Sequence, residues 1–393
     1  MKFPPQNVST AISTLLLQNN YLGDLTASYF SRCQLTHLAE LDVSCNRVTA
    51  IHRSAFQGME LLASLTLRNN QISFLEHEAF EGLGSLGLLN LNGNWLGTLY
   101  ADFFRPLGKL RTLILKKNRL EYIEPGSFQG LGSLTFLDLS GNRLRTLRPG
   151  ALQGLGASLE VLAVNNNSLE TIEPAAFRNM SRLFFLSLGG NAIEEVSSAR
   201  LQGLIGLEYL YLYDNRIEIV GRNDLKALPS LKFLDLSRNQ VFHVSPGAFA
   251  RNSRLLQLKL SHNKGLCLPS IRSSSLQTLK LSGCPLRQVS AEQFRATPHL
   301  RTLSLDNTRL SGITTSVLRH LTQLRSLALH DNPLACTCAL QEVREWCRDR
   351  GVNTSLVTED VGFTTYQENY EPSCYYPEQD VVMNWELISC SRN

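Results

Sequence analysis

The sequence predicts an α/β solenoid: a curved stack of short coils with a parallel sheet on its concave face, closed by a small disulfide-bonded C-terminal cap. Three observations carry this. An asparagine recurs at Asn20, Asn46, Asn70, Asn94, Asn118, Asn142, Asn167, Asn191, Asn215, Asn239 and Asn263, and its column continues at Cys284, Thr308 and Asn332. Ten positions on, a second column runs through Phe30, Phe56, Phe80, Phe104, Phe128, Leu152, Phe177, Leu201, Leu225 and Phe249 and resumes at Phe294 and Leu318. Five of the nine cysteines, Cys336, Cys338, Cys347, Cys374 and Cys390, crowd the end of the chain.

The skeleton is clearest between Leu110 and Leu131, where it reads LxxLxLxxNxLxxIxxxxFxxL. Leu113 and Leu115 alternate with Ile114, so both leucines share one face of a short strand and point into a core. The following asparagine can use its amide to satisfy backbone groups where the chain turns. One coil cannot bury its own apolar face, so coils must stack. This skeleton resembles the leucine-rich repeat. The reading gives residues 1–14 as the remnant of an N-terminal cap, 15–332 as an array of about 13 repeats, and 333–393 as the cysteine-rich cap.

Through Asn263 the coils are nearly uniform, with Pro125, Pro149, Pro174 and Pro246 opening the outer return arm. Between Asn263 and Cys284 the spacing contracts and the Phe column lapses, which fits either a tolerated deletion on the outer side or a loop used for binding. Cys267 and Cys284 are candidates for a bridge within this coil, although Cys284 also occupies the asparagine position. After Asn332, the spacing of Leu340, Val343 and Trp346 or Cys347 predicts a helix that Gly351 stops.

Pro333, Leu334, Cys336, Cys338, Trp346, Cys374 and Cys390 resemble the C-terminal cap of animal extracellular leucine-rich-repeat proteins, such as Toll-like receptors, Slit-type guidance proteins and the acid-labile subunit. That resemblance implies bridges from Cys336 to Cys374 and from Cys338 to Cys390. Cys347 departs from it and is free, pairs outside the cap, or displaces Cys374. Sequons at Asn7, Asn166, Asn179 and Asn353 are compatible with secretion. Met1 to Pro5 lacks the apolar core of a signal peptide and no run is long enough to span a bilayer, so the expectation is an extracellular or cell-surface chain without its natural start.

The sequence suggests no chemistry. Gly82 to Gly87 matches GxGxxG but precedes a strand, whereas a dinucleotide fingerprint follows one. No HExxH occurs among the eight histidines, so neither a metal, a cofactor nor catalysis is expected. The net charge of +4 and absence of a basic run argue against nucleic acid. Function is expected in side chains that alternate with the strand leucines, above all Phe185, Tyr209, Tyr211, Tyr213, Phe233 and Asp235, as an exposed aromatic platform. The bland alternative is that aromatic residues simply suit a strand surface. A second group, Arg68, Lys116 and Lys117, fits an acidic ligand or merely a solvated face.

The sequence therefore points to a non-enzymatic recognition module. The leading setting is the ectodomain of an innate-immune or adhesion receptor with a cell-surface or secreted protein as ligand, and a homodimer is compatible with it. The alternative is a secreted carrier or matrix protein. The cap cysteines argue against an intracellular inhibitor.

Overall fold

The computed structural model describes residues 12–27, 29, 30, 35, 37–268, 271–354, 356–361, 364–369, 372–376 and 381–385. Two compact units divide the chain, the first formed by 1–193 with 199–207 and the second by 194–198 with 208–393.

Each unit is parallel-sheet solenoid built from strands of three residues. In the first unit Thr14–Leu16, Glu40–Asp42, Ser64–Thr66, Leu88–Asn90, Thr112–Ile114, Phe136–Asp138, Val161–Ala163 and Phe185–Ser187 pair in chain order, all parallel. In the second, Tyr209–Tyr211, Phe233–Asp235, Gln257–Lys259, Thr278–Lys280, Thr302–Ser304 and Ser326–Ala328 do the same. The middle residue of every strand is a buried leucine, as the alternation requires. The return arms are mostly turns, and among the described residues α-helix is confined to Ala291–Phe294, Thr315–Leu318 and the cap helix Cys338–Asp349.

Hydrogen bonding explains the asparagine column. Asn118 Nδ2 donates to Leu115 O at 3.0 Å in its own turn and to Leu91 O at 2.9 Å in the preceding one, while its Oδ1 accepts Leu96 N at 3.1 Å. Asn46, Asn70, Asn94, Asn142 and Asn239 bond in the same way. Where the column changes residue the bond survives: Thr308 Oγ1 donates to Leu305 O at 2.7 Å and Cys284 Sγ to Leu260 O at 3.2 Å. Burial pushes the Cys284 thiol up to about 11, so it remains a protonated donor.

A second regularity was not expected. The residue just before each ladder position is left-handed in all fourteen turns, with φ of 50–60° at ten non-glycine residues, from Asn19 to Asp331, and 66–70° at Gly93, Gly141, Gly190 and Gly283. That conformation tips the backbone N–H toward the next turn. Cys45 N thus reaches Arg68 O at 2.9 Å, Lys117 N reaches Ser140 O at 2.8 Å and Arg238 N reaches Ser261 O at 2.8 Å.

On the outer side of the first unit, Phe30, Phe56, Phe80, Phe104 and Phe128 form a buried column with ring centres 5.9–6.3 Å apart. The contracted coil keeps the sheet in register, since Gln257 pairs with Thr278 as its neighbours do. Ile271 of this coil is buried, 1% exposed. The bridge considered between Cys267 and Cys284 does not form. Cys284 points into the core as a ladder residue whereas Cys267 is exposed, and both thiols are free.

In the cap, Cys336 bonds Cys374 with their Cα atoms 5.1 Å apart, and Cys338 is also disulfide-bonded. Cys390, expected as the partner of Cys338, and Asn7 lie outside the described residues. Thr337 caps the helix by accepting Leu340 N, and Leu340, Val343 and Cys347 form its buried stripe. Gly351 follows with φ of 63°. Cys347 is therefore a free thiol used as a core residue, and burial pushes it up to about 12. Trp385 is buried, and its carbonyl accepts Arg344 Nη1 at 2.9 Å. Asn353 extends the sheet by pairing beside Ser326.

Two expectations test this account. Asn118→Ala strands the Leu96 N–H and removes one of the two amide donors at Leu91 O and at Leu115 O, which keep Asn94 and Asn142, and should lower stability by about 2 kcal/mol in urea titration. In the native protein Cys267 should react with iodoacetamide within minutes at pH 8, while Cys284 and Cys347 stay unlabelled until the chain unfolds, as read by peptide mass spectrometry.

Candidate functional site

The open face of the second unit begins with the strand Tyr209–Tyr211. Its alternation buries Leu210 and leaves Tyr209 and Tyr211 on the opposite face, with Tyr213 two residues beyond. Parallel register then sets Phe233 beside Tyr209 and Asp235 beside Tyr211. Side chains on strands about 4.8 Å apart must lean on one another. The Tyr211 and Phe233 rings lie 4.7 Å apart at 36°, Tyr209 and Phe233 6.2 Å apart, and Tyr211 meets Tyr213 edge-on at 6.4 Å.

The platform consequently differs from the one expected. The three tyrosines are half-buried, and Phe233 and Asp235 are only 7% and 8% exposed, because neighbouring side chains cover them. Phe185, the sixth expected residue, belongs to the last strand of the first unit, where it is half-buried and paired beside Val161. Burial lifts the Tyr213 phenol above its ordinary range, with Asp214 and Asp235 adding to the effect.

The same face carries charges that sequence reading passed over. Lys259 stands in register beside Asp235, with Nζ 4.0 Å from Asp235 Oδ2 and 5.1 Å from the centre of the Phe233 ring. Lys280 follows in the same row. In the next row Ser282 Oγ donates to Asp306 Oδ1 at 2.9 Å, and His330 Nε2 lies 3.8 Å from Asp306 Oδ2. All four residues, Lys259, Lys280, Asp306 and His330, are buried. The signal was in the sequence, in residues two and four positions beyond the first residue of each strand, but it needs every coil written in register.

A serine, an aspartate and a histidine together raise the question of catalysis. In a hydrolytic triad the imidazole stands between hydroxyl and carboxylate and takes the hydroxyl proton. Here the Asp306 carboxylate stands between Ser282 and His330, so the histidine has no path to the hydroxyl as a base. Among the described residues, no group of three or more His, Cys, Asp or Glu could hold a metal ion. The arrangement is suited to recognition: aromatic area flanked by fixed charges.

Asn166, Asn179 and Asn353 are exposed, as acceptor asparagines for glycans must be. No helix among the described residues is long and apolar enough to cross a membrane.

Comparison with known proteins agrees with this architecture. The leucine rich repeat family profile matches residues 36–96, 96–144, 138–193, 186–241 and 274–334. Mouse nephrocan is 33% identical over 147 residues, covering 37% of this chain and 29% of nephrocan. Trophoblast glycoprotein of Macaca fascicularis is 30% identical over 198 residues, covering 38% of this chain and 47% of the relative. The chain thus spans less than half the length of these curated relatives. Among solved structures, that of the TLR13–ssRNA13 complex superposes with a TM-score of 0.76 at 25% identity, over 87% of this chain and 53% of the other.

The electrostatics of Tyr213 give a pH test. Its raised value favours the neutral phenol in the fold, so the linked stability is intact below pH of about 10 and is lost as pH climbs beyond it. Titration followed at 295 nm should show a late tyrosinate phase that Tyr213→Phe removes.

Proposed function

Because the chain belongs to the leucine-rich repeat family, we propose that it is an extracellular protein-recognition module, the ligand-binding part of a cell-surface receptor of innate-immune or adhesion type. The observation that carries this reading is the packed aromatic and ionic surface around Tyr211. Tyrosine supplies large contact area and a hydroxyl at low entropic cost, which is why it recurs at the centres of protein interfaces. A platform already stacked against Phe233 loses little further freedom on binding.

The disulfide-bonded cap supports an oxidising compartment, since such bridges persist outside the cytosol. Likeness to a trophoblast glycoprotein and to TLR13 supports the receptor setting. Likeness to nephrocan favours a second setting, a secreted carrier or matrix protein that uses the same face. The two settings differ in what adjoins the recognition module in the full gene product, and sequencing the native transcript through both ends separates them.

The 393-residue chain, screened against arrayed secreted and cell-surface ectodomains, should retain a protein partner. Tyr211→Ala combined with Tyr213→Ala should weaken that partner at least about a hundredfold while secretion and thermal midpoint stay unchanged. Unaltered affinity in the double variant would move the site off this strand.

A further inference from the structure

The net charge of the whole chain conceals a local concentration. Between Arg105 and Arg148 lie nine basic and three acidic side chains, an excess of six where the entire chain has an excess of four. Stacking of the coils gathers part of this excess onto one edge of the first unit. Lys116 and Lys117 immediately precede the ladder residue Asn118 and Arg119 follows it, and Arg143 and Arg145 follow Asn142 one turn along. Backbone bonds hold these turns in step, with Arg119 N on Leu96 O and Arg143 N on Leu120 O, both at 2.9 Å. All five side chains are exposed.

The acids do little to cancel this charge. Asp138 accepts the N–H of Ser140 at 2.8 Å, and Glu124 accepts that of Ala101 at 3.2 Å on the outer arm. Glu121 stands on the edge, where its Oε1 lies 3.6 Å from Arg143 Nη1 in an exposed pair. Adjacent turns are about 4.8 Å apart, so the five cations fall within roughly one or two screening lengths and act on a ligand as one field.

We propose that this edge is a binding site for a linear sulfated polysaccharide, laid along the stacking direction of the coils. A chain with anionic groups at short, regular intervals matches cations repeated turn by turn. Single-stranded nucleic acid carries the same sign but also needs aromatic faces for its bases. The exposed indole at this edge, Trp95, has a face covered by the Arg119 guanidinium at 4.4 Å, and Tyr21 three turns earlier is covered likewise by Arg47 at 4.6 Å. Charge is what the edge offers. The site lies within the first unit and does not depend on the Tyr211 reading.

The test uses a heparin-derived decasaccharide and the full 393-residue chain in isothermal calorimetry at 0.15 M and 0.5 M salt. Binding at the lower salt should weaken at least about tenfold at the higher. Lys116→Gln, Lys117→Gln, Arg143→Gln and Arg145→Gln together should cost at least about tenfold more, each pair of changes giving part of that loss at an unchanged thermal midpoint. Neutralising Arg222, Arg251, Arg254 and Arg272, exposed arginines of the second unit, should change affinity less than about twofold. Absence of heparin binding, equal losses in the two quadruple variants, or tighter edge-dependent binding of polyuridylic acid than of heparin would each overturn the proposal.

Discussion

Everything in this molecule depends on how buried backbone groups at the end of each short strand are satisfied. A strand of three residues contributes too few sheet bonds to hold a turn in place, and the chain must then reverse beneath a leucine core without water. The asparagine amide solves this by bonding its own turn and the one before, with its oxygen taking a third backbone group. With that ladder in place, leucines can fill the interior with no requirement beyond size. Side chains on the open face and the edges are then free to vary.

The ladder was legible because only a few residue types can occupy it, at fixed spacing, and the leucine and phenylalanine columns confirm its phase. The substitutions at Cys284 and Thr308 were legible as positions but not as chemistry, which requires the distance from a thiol or hydroxyl to the carbonyl it serves. Cys347 stayed ambiguous for a related reason. Counting cysteines pairs them by number, whereas the packing of the cap helix decides that this one lies among Leu340 and Val343.

The open face was the least legible part. Sequence alternation correctly separated Tyr209 and Tyr211 from Leu210, yet it took a side chain off the core to be an exposed one. Burial of Phe233 and Asp235 arises from residues 24 positions away, brought within van der Waals distance by parallel register. Of the basic edge of the first unit, Lys116 and Lys117 were legible and were grouped with Arg68, whereas their convergence with Arg143 and Arg145 requires the coils to be stacked. Exposed and recessed charges also behave differently. The Lys259 and Asp235 pair, recessed beneath its neighbours, is shielded little by salt, whereas the lysines of the edge face solvent directly.

The left-handed residue ahead of each ladder position makes the array directional. Ten of these positions are not glycine; at Cys45, Lys117, Arg238 and His262 the conformation costs about 1 kcal/mol, and at the six asparagines and aspartates less. The N–H so oriented is bonded by the following turn, as when Lys117 reaches Ser140. A turn therefore holds its strain without recompense until its C-terminal neighbour has docked, and the last repeat relies on Asn353 of the cap to continue the sheet. Unwinding that begins at the cap would expose one strained turn after another, each less able to close alone. A solenoid that nearest-neighbour contacts alone would let melt piecemeal is given a zipper's cooperativity, with the disulfide-bonded cap as its stop.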